Sequence, residues 1–221
     1  MSLALYDEGL RSPEVRISVR YQDGRHAPLD LDRWRGAVTR ADESMLLRAS
    51  GSVLDVGCGP GRLTAALAAR GVDALGIDVA AAAVALTLDG GGRALQRSVF
   101  DPLPGTGGWG TALLADGNIG IGGNPVRLLR RIADLLTPDG QVLTELDPPG
   151  TGPAVRLLAR LETSCGRSGA WFGWAVVGVD ALPAVAAEAG LSIGEVWSAP
   201  EPGVGPRFFA ALRPQRRQVA D

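Results

Sequence analysis

The chain has 221 residues, a formal net charge of −2, 46% apolar residues and 21% charged ones. That length suits one domain with a sizeable core, and the charge balance makes nucleic acid an unlikely partner, since a general binder shows a strongly basic domain. All 22 basic residues are arginine, which excludes a Schiff-base lysine or a phosphate-loop lysine.

Two cysteines, Cys58 and Cys165, form neither a disulfide framework nor a metal-ligand spacing, and they fit a reducing, cytoplasmic setting. No charged segment followed by an apolar stretch opens the chain, so no signal peptide is evident. The longest apolar run, residues 79–86, is far short of the ~20 needed to cross a bilayer. A soluble protein without a membrane partner is expected.

In chain order, residues 15–21 alternate apolar with polar and read as a half-buried strand. A turn at 22–25 follows, then the only histidine, His26. Residues 32–49 read as one helix with Trp34, Val38, Met45 and Leu46 as its apolar positions and Gly51 as its stop. The first buried strand is 53–56, followed by glycines at 57, 59 and 61 and a helix over 63–70. The next units are a strand at 74–77, a helix at 80–88, and a strand at 95–100. They are followed by a strand at 111–115, an amphipathic helix at 125–136 and a strand at 141–146. Helices are then expected at 153–165 and 179–189, the second with Asp180 as N-cap and Gly190 as stop. Strands at 193–198 and 207–212 close the domain as an antiparallel pair, and 214–221 reads as a frayed tail.

Repeated strand–helix units with buried strands predict a parallel sheet covered by helices on both faces. Such sheets bind ligands beyond the carboxyl ends of their strands. Four of the five strands are followed there by an aspartate, Asp78, Asp101, Asp116 and Asp147, while the first carries Asp55 just before its glycines.

The dinucleotide fingerprint Gly-x-Gly-x-x-Gly is not met, because Arg62 stands where it requires glycine. The stretch Asp55-x-Gly57-x-Gly59-x-Gly61 instead resembles motif I of the class I S-adenosylmethionine-dependent methyltransferases. The resemblance runs through residues 53–147 and, more loosely, the last helix and strand pair. It implies an α/β fold, a doubly wound, Rossmann-like, seven-stranded, mostly parallel sheet with an antiparallel last strand in a single domain. Residues 1–50 would form a flank or lid, 51–213 the cofactor-binding domain, and about 148–178 a substrate-pocket insertion.

The resemblance further implies that Gly57, Cys58, Gly59 and Gly61 let S-adenosylmethionine approach the backbone. Asp55 would support the loop or face the ligand's ammonium group. Asp78 would accept both ribose hydroxyls, Val79 would pack on the adenine, and Asp101 would take the adenine amino group beside Phe100. Asp116 sits where methyl and acceptor meet. A base is needed only when the acceptor must lose a proton, with His26, Asp116 and Asp147 as candidates.

Asp116-Gly117-Asn118-Ile119 is not the Asn-Pro-Pro-Tyr of amino-methylating nucleic-acid enzymes, and no metal-binding set is recognisable. A small-molecule methyl acceptor is therefore expected, enclosed by Trp34, Asn118, Trp171, Phe172 and Trp174, in a monomer or homodimer. Two competing readings are a non-catalytic S-adenosylmethionine-binding scaffold of the same fold and a nicotinamide dehydrogenase.

Overall fold

A computed structural model describes residues 3–203 and 205–215. It opens with α1 (Leu3–Arg11), β1 (Ile17–Tyr21), β2 (His26–Pro28), α2 (Leu31–Arg35) and α3 (Arg40–Leu46). The single helix expected over 32–49 is thus two. Gly36 leaves α2 in extended backbone, and Thr39 starts α3 with a reciprocal capping box. The Thr39 N–H donates to the Asp42 carboxylate at 2.8 Å, and the Asp42 N–H donates to the Thr39 hydroxyl at 3.3 Å.

The central run is β3 (Val53–Val56), α4 (Arg62–Ala69), β4 (Ala74–Asp78), α5 (Ala81–Asp89), β5 (Ala94–Gln96), β6 (Trp109–Leu114), α6 (Pro125–Ala133) and β7 (Leu136–Leu146). It continues with β8 (Val155–Thr163), β9 (Phe172–Val176), α7 (Leu182–Ala189), β10 (Leu191–Glu201) and β11 (Gly205–Pro214). The expected seven-stranded sheet is present, in the order β10-β11-β7-β6-β3-β4-β5. Strands β3 to β7 pair in parallel, while β11 runs antiparallel to both of its neighbours. Every residue of β3 is buried, as a central strand covered on both faces requires. On one face Leu54, Val56, Leu128, Leu129, Ile132 and Leu182 form the larger core. On the other, Met45, Leu67, Leu113, Leu143 and Phe209 pack together.

Several boundaries differ from expectation. The third strand ends at Gln96 because residues 98–101 turn: Asp101 accepts the Ser98 N–H at 3.1 Å, and the Ser98 hydroxyl accepts the Phe100 N–H at 3.2 Å. Helix α6 stops at Ala133, so Leu136 already belongs to β7, whose pairing with β6 shifts register between Trp109 and Thr111. Asp180 caps no α-helix; it lies in a 3₁₀ turn, and its carboxylate accepts the Gly150 N–H at 2.6 Å. Gly190 does end α7, in the left-handed region at φ 76°. Of the tail, residues 216–221 lie outside the described residues.

The largest correction is at 153–165, where a helix was expected and β8 stands. Its Ala, Leu and Arg content favours helix locally, but its burial has period two: Ala159, Leu161 and Thr163 are buried, with Arg160 and Glu162 between them more exposed. Pairing with β1 on one side and β9 on the other decides the outcome. The result is a second, antiparallel sheet, β2-β1-β8-β9, which joins the N-terminal flank to the segment after β7.

A 3₁₀ segment, Asn118–Gly123, backs onto this second sheet. A Cβ at Gly120 would overlap the Ala175 carbonyl oxygen and approach the Trp174 ring at 2.8 Å. Gly120→Ala is therefore expected to lower the unfolding free energy by about 1–3 kcal/mol in chemical denaturation.

Candidate active site

The loop from β3 to α4 needs glycine for steric reasons. Gly57 and Gly61 have φ of 73° and 89°, where side chains are strained. A Cβ would also lie 2.8 Å from Asn118 Nδ2 at the first and 2.6 Å from Thr87 Oγ1 at the second. Asn118 braces the loop by donating from Nδ2 to the Val56 and Gly57 carbonyls at 2.9 and 3.0 Å. Asp78 ties it to the end of β4, accepting the Gly59 and Ala80 N–H groups at 3.0 and 2.8 Å.

Asp55, beneath the loop, is 2% exposed and accepts the Thr64 hydroxyl at 2.7 Å. Burial lifts its carboxyl to about 6, against the Thr64 hydrogen bond. Burial also drives the Cys58 thiol well above its usual range, which makes it a packing group and not a nucleophile.

Between the loop and the second sheet lies a cavity of about 680 Å³, within the ~300–1,000 Å³ typical of small-molecule sites. Asp55, Gly57, Cys58, Gly59, Asp78 and Val79 line it on the loop side, with Phe100 beside them. Trp34, Asp116, Asn118, Asp147, Phe172 and Trp174 line the rest.

Four residues singled out from the sequence are not among the lining. Gly61 serves the turn behind it. Asp101 is exposed and committed to the Ser98 turn. Trp171 is 42% exposed, with the Arg160 guanidinium 4.8 Å from its ring centre. His26 pairs with Arg20 across β1–β2, whereas the alternate residues Val19 and Tyr21 line the cavity. Strand alternation thus puts the imidazole on the other face, where Nε2 lies 2.7 Å from the Ser18 hydroxyl.

The cavity floor rests on a set of charges of which the sequence reading singled out only Asp116 as a site residue. Arg62, whose side chain is 4% exposed, bonds both Asp42 and Asp116. Arg33 on α2 also bonds Asp116, and Arg207 on β11 bonds Glu145 through two hydrogen bonds of 2.7 Å and Asp42 at 2.8 Å. Asp116 itself has φ 53°, a left-handed conformation tolerated by aspartate more than by most side chains, and its N–H donates to Glu145 at 2.6 Å. Burial alone would raise the Asp42 carboxyl. The Arg62 charge and hydrogen bond, then the Thr39 N–H and Arg207, outweigh it and hold Asp42 at about 2.

Two buried nitrogens, Arg33 Nε and Arg62 Nε, have no acceptor, and both residues line the cavity. Tyr6 from α1 also lines it, 8% exposed, with its hydroxyl 3.4 Å from where a Gly59 Cβ would stand. Local signals for these groups were confined to Asp116, at the end of a strand, and Arg62, directly after the glycines.

Fold and site together define a Rossmann-like methyltransferase. The sequence pattern of the family described as a methyltransferase domain matches residues 25–148, more than half of the chain, and the chain belongs to that family. No curated protein sequence matches it.

Among solved structures, an S-adenosylmethionine-dependent methyltransferase from Bacteroides fragilis, in complex with S-adenosyl-L-homocysteine, is similar at 22% identity and a TM-score of 0.75, over 96% of this chain and 93% of that one. A 1,6-didemethyltoxoflavin-N1-methyltransferase from Burkholderia thailandensis is 21% identical with a TM-score of 0.62, over 96% and 88% of the two chains. A sugar N-methyltransferase from Streptoalloteichus is 20% identical with a TM-score of 0.55, over 79% and 85%. At these identities the likeness is one of fold.

Two outcomes follow from the buried charges. Arg207→Met leaves Asp42 and Glu145 short of a counter-charge and should cost about 3–5 kcal/mol of stability in denaturant titration. Asp55 gives a pH signature. Its folded carboxyl, at about 6 against the ordinary 3.8, holds a proton that the unfolded chain has released. Its contribution is full below pH 3.8 and falls, by about 3 kcal/mol, as pH rises through the folded value. Asp42 acts in the opposite sense, its contribution being full above 3.8 and lost as pH falls toward about 2. Asp55→Asn should therefore gain roughly 3 kcal/mol relative to the parent between about pH 4 and pH 7, read from denaturation curves at the two values.

Proposed function

We propose that the protein moves the methyl group of S-adenosylmethionine to a small-molecule acceptor by in-line displacement. The observation that carries this reading is the Asp55–Gly61 loop, held open by positive-φ glycines, with Asp78 facing the same cavity.

The residues fit that cofactor. Arg33 Nε and Arg62 Nε, buried without acceptors, suit the carboxylate of its amino-acid part. Asp78 spends one lone pair of each oxygen on the main chain and keeps others for two ribose hydroxyls. Val79 and Phe100 supply apolar surface for the adenine. When bound, the cofactor supplies an electrophilic methyl on a sulfonium, so the chain's main task is alignment.

The acceptor would lie under the four-stranded sheet, between Trp34, Asn118, Phe172 and Trp174. Among the base candidates His26 is outside the cavity, and Asp116 is held by Arg33 and Arg62. Asp147 remains, lining the cavity without an ion pair among the described residues, its carboxyl raised above the ordinary value by burial and then by the Glu145 charge. The B. thailandensis and Streptoalloteichus enzymes, named for small-molecule N-methylation, support an acceptor of that size.

Calorimetry should give saturable one-to-one binding of S-adenosylhomocysteine, weakened about 10- to 100-fold by Asp78→Ala, equivalent to losing one or two hydrogen bonds. Absence of binding to the unaltered protein overturns the reading. Binding without any cofactor turnover across a broad acceptor panel would point to a scaffold instead.

A further inference from the structure

The part of the cavity beneath the second sheet has a distinctive chemistry. Tyr21, Leu161, Phe172 and Trp174 wall it, with Phe172 and Trp174 meeting edge to face at a centroid separation of 6.3 Å. Taken as a whole, the cavity is lined by six carboxylates and three guanidiniums. Arg33 and Arg62 are paired with Asp116, while Arg97 bonds the Gln96 carbonyl at 3.0 Å and follows β5, at the sheet edge with three strands between it and β7. Glu145 is neutralised by Arg207 from behind.

Four of the six carboxylates, Asp30, Asp55, Asp78 and Asp147, form no ion pair among the described residues. Asp30 accepts the Arg33 N–H, Asp55 the Thr64 hydroxyl and Asp78 the Gly59 and Ala80 N–H groups. Asp147 stands apart by position, bridging to Gly178 just beyond the end of β9. The groups around it are Glu145, the Val177 N–H, Tyr21, and Arg25 acting only at longer range, with its own guanidinium on Asp23 at 2.7 Å.

Accepting the methyltransferase reading above, we infer that the methyl acceptor is an amine carried on a flat apolar ring, with the ring against Phe172 and Trp174 and the nitrogen on Asp147. A carboxylate or phosphate on the acceptor would meet the Asp147 charge, while Arg97, which forms no ion pair among the described residues, follows β5 with three strands between it and β7. A phenol would have to ionise among carboxylates, which opposes forming the phenolate. A protonated amine gains from both the carboxylate and the aromatic faces.

The chemistry balances without a further reactant. The ammonium gives its proton to the Asp147 carboxylate, and the freed lone pair forms the N–C bond. The C–S bond breaks with its electrons going to sulfur, so the positive charge moves from sulfur to the methylated nitrogen. Net negative lining suits a transition state that carries one positive charge throughout and never a negative one.

The test compares tryptamine, tryptophol and indole-3-acetate, which share one ring, on the protein saturated with S-adenosylhomocysteine. Calorimetry should show tryptamine binding at least tenfold tighter than indole-3-acetate and tighter than tryptophol. Tryptamine should also drive S-adenosylhomocysteine formation from S-adenosylmethionine. Asp147→Asn should remove the preference and lower kcat/KM for tryptamine at least tenfold, while S-adenosylhomocysteine affinity stays unchanged and reports an intact fold. If S-adenosylhomocysteine binds but indole-3-acetate or tryptophol equals tryptamine, or none of the three binds, or the preference survives in Asp147→Asn, the amine assignment is wrong and the cofactor reading stands. Failure of S-adenosylhomocysteine to bind removes both.

Discussion

The buried ion network beneath the cavity is the constraint on which the rest depends. Asp42 is fully buried, and the Arg62 and Arg207 side chains are 4% exposed. Desolvating such groups costs several kcal/mol per ion, and only dense, well-directed pairing offsets it. That pairing draws on five places in the chain: α2 gives Arg33, α3 gives Asp42, α4 gives Arg62, the turn after β6 gives Asp116, and the β7–β11 pair gives Glu145 and Arg207. Once these charges are mutually satisfied, the glycine loop, the end of β6 and the N-terminal flank have little freedom to shift separately. The left-handed backbone of Asp116 is held in the same way, since its side chain is gripped by arginines and its N–H by Glu145.

The network also divides the cavity. Arginines crowd the loop side, where Arg33 and Arg62 keep spare buried donors. The side under the second sheet keeps an uncommitted carboxylate and aromatic walls. Spare buried donors suit an anionic group, and aromatic walls beside a carboxylate suit an apolar body. Under the proposed methyl transfer, this asymmetry would align donor and acceptor without a large set of catalytic side chains.

How much of this the sequence discloses depends on how local each cause is. The Val53–Gly61 stretch was legible because a buried strand and positive-φ turn residues act over a few positions. The parallel sheet covered by helices followed from repetition of that unit. Strand β8 was illegible, because Leu157, Leu158, Ala159 and Arg160 are sound helix formers and one of their two strand partners, β1, stands about 140 residues away, as Arg20 and Glu162 do at 142. His26 drew attention as the only histidine, but its face is set by pairing with β1, which composition does not reveal. Arg207 and Asp42, 165 positions apart, had no local signature at all.

That difference in range bears on how such a site can change. The glycine-loop side of the cavity is encoded by short-range signals in β3, α4 and β4, where substitutions meet positive-φ turns and buried carboxylates. The opposite wall is built by β8, which reaches back to β1, and by β9, which pairs with β8. Replacing Leu161, Phe172 or Trp174 by another large apolar side chain alters the wall while leaving the backbone ladder and the ion network in place. The wall under the second sheet is therefore the part of the cavity that is freest to vary. Its limit is Gly120, whose missing side chain lets the 3₁₀ segment touch β9 and holds that wall against the loop.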